Sequence, residues 1–217
     1  MAKKKLRFLF QGDSVTDADR DRTSDDLGHG YPRYFRQAYE EVSAGRDDLP
    51  ELEFIKRAVN GDRSIEILER LEDDILKLKP DYLSIQIGVN DAWRLLNPMV
   101  GATPDPVFRQ SLESVLKRVR TELPETKIIM VEPFLLVLED EFIPVRRNLS
   151  QKIIILRELR GDYADFYWPL DGLMHQWSLA YEDPSALALD GIHPTEEGHR
   201  LIARKMVETL VGEGFLV

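Results

Sequence analysis

A doubly wound α/β fold is predicted by three observations. Short apolar runs alternate with longer segments of helical period, and no hairpin signal joins one run to the next. That alternation describes a parallel sheet covered on both faces. Polar, glycine-containing segments then fall where the strands should end, which is where such sheets build their sites.

The elements follow in order. Leu6 to Phe10 reads as the first strand, and Tyr31 to Val42 as a helix with Pro32 in its first turn. Leu52 to Ile55 is a weak second strand. Ser64 is placed to cap the next helix, which sets Ile65, Leu68, Leu71, Ile75 and Leu78 on one face. Tyr82 to Ile87 is the third strand, and Pro106 to Glu122 a helix carrying Val107, Leu112, Val115, Leu116 and Val119. Lys127 to Val131 is the fourth strand, Pro144 to Leu159 a helix, and Tyr163 to Tyr167 the fifth strand. Thr195 to Val211 forms the last helix. Its start fits a capping box only loosely, because Gly198 stands where Glu or Gln belongs. No repeat, linker or low-complexity tract divides residues 1–217, so one domain is expected.

Composition narrows the function. A chain of 217 residues buries about 70% of its unfolded surface and needs no metal or disulfide staple. The 39 acidic residues outnumber the 29 basic ones, for a net charge of −10. That field repels phosphate-rich partners, so neither nucleic acid nor an anionic membrane is expected to bind. No cysteine is present, which excludes disulfides, thiolate nucleophiles and Cys-ligated zinc. The four histidines are dispersed, which argues against a His-based metal site. The basic start, Met1 to Lys5, precedes an apolar run too short for a signal peptide, and no run approaches the roughly 20 apolar residues of a membrane span. A cytoplasmic protein is the expectation.

Four segments carry the candidate chemistry: Gly12-Asp13-Ser14, Asn60-Gly61-Asp62, Gly88-Val89-Asn90-Asp91 and Asp190-Gly-Ile-His-Pro194. Ser14 is exposed at the end of strand one, although a lone serine there reads equally as a turn or cap. It is not in a Gly-x-Ser-x-Gly elbow, because Thr16 replaces the second glycine. Asp190 and His193 lie three apart in a loop, which lets the carboxylate hold one ring nitrogen while the other faces a nucleophile. The alternative is a glycine turn capped by Asp190. Gly61 offers a backbone N–H that no Cβ shields, and Asn90 an amide donor, a pair suited to an oxyanion. Each is also an ordinary turn or cap residue.

Taken in order, the four segments resemble the SGNH hydrolases, also called the GDSL esterase family. Ser14, Gly61, Asn90 and His193 match the four residues that name it. The resemblance spans essentially the whole chain and implies a flavodoxin-like three-layer α/β/α fold with a five-stranded parallel sheet. It further implies a catalytic triad of Ser14, His193 and Asp190, and an oxyanion hole of Ser14 N–H, Gly61 N–H and the Asn90 side chain. One departure stands out: Lys56 occupies the position five before the second-block glycine, where many members carry Asn.

A narrower resemblance runs through Phe10 to Asp17, Leu27 to Tyr31, Ile87 to Arg94, Glu132 to Phe134 and Leu187 to His199. These segments look like the intracellular acetylxylan esterase branch, which removes acetyl groups from xylo-oligosaccharides and tends to form homo-oligomers. It implies a small-molecule ester substrate, an acetylated sugar, and no cofactor or metal. Asp13, Tyr31 and Trp93 are expected in the substrate pocket. Trp93 either packs on the sugar or acyl group or simply packs its loop. The apolar tail Phe215 to Val217 is a hint of self-association that its own domain could equally bury.

The same residues admit other functions. A lysophospholipase or thioesterase would use the same triad on longer acyl chains. A carbohydrate-binding protein on the same fold would have no need for all five residues Ser14, Gly61, Asn90, Asp190 and His193. Asp17 to Asp21 begins like a calcium loop but has Arg22 and Gly28 at the sixth and twelfth positions, so a solvated, salt-bridged loop beside Ser14 is expected. Gly28-His-Gly30 lacks the third glycine of a dinucleotide fingerprint. Asp171 with His175 is read as structural, and His199 as a surface or hydrogen-bonded histidine.

Overall fold

The computed structural model describes residues 5–20, 27–97 and 99–216. Five parallel strands form one sheet in the order β2-β1-β3-β4-β5. They are β1 (Lys5–Gly12), β2 (Glu51–Lys56), β3 (Tyr82–Gln86), β4 (Lys127–Val131) and β5 (Phe166–Trp168). The flavodoxin-like, doubly wound architecture expected from the sequence is present.

Side-chain alternation along the strands divides the core in two. Phe8 and Phe10 of β1, with Ile129 and Val131 of β4, face one layer. That layer contains α2 (Tyr31–Ser43) and α8 (Glu196–Gly212), which pack against each other. Leu9 of β1, Leu83 and Ile85 of β3, and Ile128 and Met130 of β4 face the other. It is built by α3 (Ser64–Glu69), α5 (Asp105–Glu122) and the later turns of α6 (Ile143–Tyr163). The short helices α1 (Ser14–Asp17) and α4 (Val89–Trp93) leave the carboxyl ends of β1 and β3, and α7 (Leu170–Ser178) follows β5. No helix among the described residues is long and apolar enough to cross a membrane.

Several local expectations change. Tyr163 ends α6, and β5 runs only from Phe166 to Trp168, because the helix continues one turn past Leu159. Ser64 does not cap α3. It is the first helical residue, and Arg63 precedes it with its N–H held by Glu66 Oε2 at 2.8 Å. The predicted long helix beyond Ser64 changes hydrogen-bond pattern, passing into a π-helical turn at Glu72–Leu76. Thr195 does cap α8, accepting the Gly198 N–H at 3.1 Å. The tail is not a free apolar patch: Phe215 packs on Tyr82 and Phe166, and Leu216 is fully buried. Val217 lies outside the described residues.

Strand order reverses at β1, which has β2 on one side and β3 on the other. The crevice at this switch point lies between the carboxyl ends of β1 and β3. Ser14 follows one strand and Asn90 the other.

Candidate active site

The site begins with a close approach of two strands. A Cβ on Gly12 would run into the carbonyl oxygen of Gln86 in β3, so only glycine lets β1 end this near its neighbour. The next residue, Asp13, caps α1 by accepting the Val15 N–H at 3.1 Å. That makes Ser14 the first residue of the helix, where the earliest N–H groups have no intrahelical partner.

Ser14 Oγ lies 2.8 Å from His193 Nε2, and His193 Nδ1 lies 2.7 Å from Asp190 Oδ2. The Asp190 Oδ1 atom accepts the backbone N–H groups of Ile192 and His193 at 3.0 and 2.8 Å. The loop is held by Gly191, whose φ is +82° and whose Cα sits against the Leu136 carbonyl. Burial acts to raise the pKa of Asp190. The hydrogen bonds from the His193 ring, the His193 backbone and Ile192 prevail and hold it well below the usual carboxylate range. The Asp190 bond raises the His193 pKa against an opposing desolvation. The pair is therefore arranged to favour imidazolium when a proton arrives.

The Gly61 donor expected from the sequence lies on the loop after β2. Gly61 adopts a φ of +83°, and the nearest atom to a Cβ placed on it is an Arg94 guanidinium nitrogen at 3.7 Å. The positive φ requires glycine. Asn90 Nδ2 donates to the Asp62 carbonyl at 3.0 Å. One hydrogen of the amide fixes its plane, and the other remains for an acceptor.

A cavity of about 520 Å³ opens beside the serine and histidine. Ser14, His193, Asp19, His29, Asn60 and Glu196 are among the residues lining it. The sequence places Asn60 in the Gly61 segment and His29 between two glycines, of which Gly28 has a φ of +67°. It assigns neither to the cavity, because no motif marks a loop residue that merely faces a cleft.

The expected pocket residues fare differently. Tyr31 is 1% exposed, and its hydroxyl bonds to Thr16 Oγ1 in the core, so it contacts no substrate. Asp13 is likewise fully buried as the α1 cap. Burial pushes its carboxyl up to about 7, against the lowering effect of the Val15 N–H. Trp93 is half-buried and packs on Phe142 with ring centres 4.9 Å apart.

The acidic loop is salt-bridged and rims the cavity as expected, and differs in the burial of Asp17. Asp17 is buried rather than solvated and pairs with Arg20, while Ala18 and Asp19 rim the cavity. Asp21 lies outside the described residues. The unusual Lys56 is buried and donates to the carbonyls of Asp17 and Leu27, pinning this rim from below. His199 is buried too. Its Nδ1 accepts the Tyr31 N–H at 3.1 Å, and burial lowers its pKa to about 4. The second Asp/His pair is structural: Asp171 binds Arg146 through both oxygens, and His175 bonds the Asp171 carbonyl.

Known proteins place this arrangement. The model of the GDSL-like lipase/acylhydrolase family matches residues 10–201. The chain belongs to that family. It is 28% identical over 213 residues to an acetylxylan esterase from Geobacillus stearothermophilus, covering 94% of this chain and 93% of that protein. A solved structure of an acetylxylan esterase from the same organism superposes with a TM-score of 0.81 at 25% identity, covering 94% and 93% of the two chains. A GDSL-like protein from Parabacteroides merdae superposes with a TM-score of 0.85 at 29% identity over 98% of both. This acylhydrolase is a carboxylic ester hydrolase, and its five-stranded α/β/α architecture is that of the family.

Proposed function

We propose that this acylhydrolase is a serine esterase that removes acetyl groups from sugars through an acyl-enzyme, xylo-oligosaccharides being the first candidates. The observation that carries the mechanism is the unbroken line from Ser14 Oγ to His193 to Asp190, at 2.8 and 2.7 Å. His193 Nε2 takes the Ser14 proton as Oγ attacks the ester carbonyl. The carbonyl oxygen becomes an oxyanion, met by the Ser14 and Gly61 N–H groups and the second Asn90 amide hydrogen. Collapse of the intermediate breaks the ester bond, and His193 hands its proton to the leaving alcohol. Water then attacks the acyl-enzyme, again giving its proton to His193. The acetate departs and Ser14 Oγ recovers the proton. Asp190 stays ionised throughout and fixes the ring.

Two features support a sugar as the alcohol. The chain resembles an acetylxylan esterase over nearly its full length. The cavity beside His193 also presents Asp19, His29, Asn60 and Glu196, groups that hydrogen-bond hydroxyls rather than cover an acyl chain. We extend the proposal to one domain over residues 1–217 acting in the cytoplasm as a homo-oligomer. Light scattering tests the assembly.

The test of function is a series of aryl esters from acetyl to octanoyl, with Ser14→Ala as blank, followed by acetylated xylo-oligosaccharides. The expected result is a rate that falls sharply beyond acetyl and vanishes in Ser14→Ala, which remains folded. A maximum at longer chains would move the substrate to lipid or thioester. Full activity in Ser14→Ala would remove the mechanism.

A further inference from the structure

The proposed oxyanion hole draws its three donors from distant parts of the chain, and nothing in the triad itself holds them together. Ser14 belongs to α1, Asn90 to α4, and Gly61 to the loop between β2 and α3. A loop containing a positive-φ glycine is the most deformable of the three. Yet its hydrogen bonds are closed almost residue by residue. The Asn60 N–H donates to Asp17 Oδ2 at 2.8 Å. The Gly61 carbonyl accepts from Arg94 at 3.3 Å, and the Asp62 carbonyl from Asn90 Nδ2 at 3.0 Å. The Ser64 N–H and Oγ both donate to Asp91, at 3.0 and 2.9 Å.

We propose that Asp17 and Asp91 are positioning residues that set the oxyanion hole. Each is a buried carboxylate on the short helix that carries another donor, and each grips one end of the Gly61 loop. Asp17 sits one turn after Ser14 in α1 and is 3% exposed. Asp91 directly follows Asn90 in α4 and is fully buried. The two grips bracket Gly61 at Asn60 and Ser64, so the glycine is tied to the serine's helix on one side and to the asparagine's helix on the other. Carboxylate acceptors suit this task, because charge-assisted hydrogen bonds are roughly twice as strong as neutral ones. The Asp17 charge has a cation beside it, while burial pushes the Asp91 carboxyl up against its hydrogen bonds from Ser64 and the charge of Lys152. Arg20 Nε lies 3.8 Å from Asp17 Oδ1, and Lys56 holds the Asp17 carbonyl. Neither carboxylate touches the substrate. Each acts through the backbone of the loop, which is why a reading of catalytic residues alone passes over both.

The proposal rests on the esterase reading above, and the experiment separates the two. Wild type, Asp17→Ala, Asp17→Asn and Asp91→Asn are compared on an aryl acetate, with Ser14→Ala as blank. For each variant kcat, KM, the melting temperature and the inhibition constant of a phenylboronic acid, whose tetrahedral adduct places an oxygen in the hole, are measured. Asp17→Ala is expected to lose about 10- to 100-fold in kcat with KM little changed, since a misplaced donor is nearly as costly as a missing one. The boronic acid should weaken by a similar factor. Asp17→Asn should recover most of the rate, because its amide oxygen can accept the Asn60 N–H. Asp91→Asn should weaken kcat and boronic-acid binding together.

A folded Asp17→Ala enzyme with kcat within about twofold of wild type would overturn the proposal, because a displaced donor cannot be that cheap. So would a fall in kcat with unchanged boronic-acid affinity, or a lowered melting temperature alone. Where Asp17→Ala does not fold, Asp17→Ser carries the same expectation, its hydroxyl being too short to reach the Asn60 N–H. A wild-type chain without any Ser14-dependent rate would instead remove the esterase reading. That outcome is distinct from an active wild type whose variants turn over equally well.

Discussion

The two halves of the site are built on opposite principles. The acid–base half is local and wet: Asp190 and His193 share one loop, and their side chains are 47% and 52% exposed. The proposed oxyanion half is assembled from three separate segments and rests on a dry base: its donors Ser14, Gly61 and Asn90 are half-buried, and Asp17, Asp91 and Asp62 behind them are buried. Proton transfer needs a group whose charge changes, and solvent access keeps that change inexpensive. Oxyanion stabilisation needs donors that do not move, and burial with closed hydrogen bonds supplies that. The wet half should therefore answer to pH, and the dry half to geometry.

The largest expected effect lies in the wet half. Asp190→Asn keeps the shape but changes what the ring can donate to, and by analogy with serine hydrolases of this design it should cost about 10⁴ in kcat. Steady-state rates on an aryl acetate measure it. A loss under tenfold would show that the ring is oriented by something else.

Next comes the dry half. Asn90→Ala removes one donor and the bond to the Asp62 carbonyl, so kcat should fall by about 10²–10³ with little change in KM. A KM effect alone would place Asn90 in substrate binding instead.

The pH response sharpens the contrast. His193 must be neutral to accept the serine proton, and its pKa is raised, first by the hydrogen bond to Asp190. The acid limb of kcat/KM should therefore fall above the ordinary imidazole value of about 6.5. Asp190→Asn should move that limb to lower pH, whereas Asn90→Ala should leave it in place. The same shift has a stability sign. The raised His193 pKa stabilises the fold fully below the unfolded value, and that contribution fades as pH rises through the folded one. The depressed Asp190 pKa acts above its unfolded value and fades as pH falls towards the folded one.

The smallest effects belong to the cavity wall. Asp19→Asn and Glu196→Gln should each raise KM for an acetylated xylo-oligosaccharide about two- to tenfold, as expected for one hydrogen bond, and leave aryl acetate untouched. Equal effects on both substrates would argue against a role in binding the sugar.

Legibility in the sequence followed the same division. Asp190 and His193 were readable because three residues of one loop hold both, and Ser14 because a strand end exposes it. Lys127 to Val131 was legible to the residue, since a buried strand leaves an unbroken apolar run. Tertiary relations were not legible. Tyr31 looked like a pocket residue from its place beside Gly30, but it packs inward on Phe10 and bonds Thr16. Ser64 looked like a helix cap because nothing local reveals that Asp91 takes its hydroxyl hydrogen. Asp17 looked like a solvated loop acid, but its carboxylate is buried and accepts the Asn60 N–H from 43 positions away. The start of β5 was misplaced because Tyr163 fits a strand as well as a last helical turn, and only packing decides between them.

The central claim is that Ser14, activated by His193, forms the covalent intermediate. Its most direct test is reaction with a fluorophosphonate, followed by intact mass and peptide mapping alongside residual esterase rate. The account predicts one adduct per chain, located on Ser14, appearing at the rate at which activity is lost and absent from Ser14→Ala. Loss of activity with the adduct on another residue, or hydrolysis that persists after Ser14 is fully modified, would contradict it.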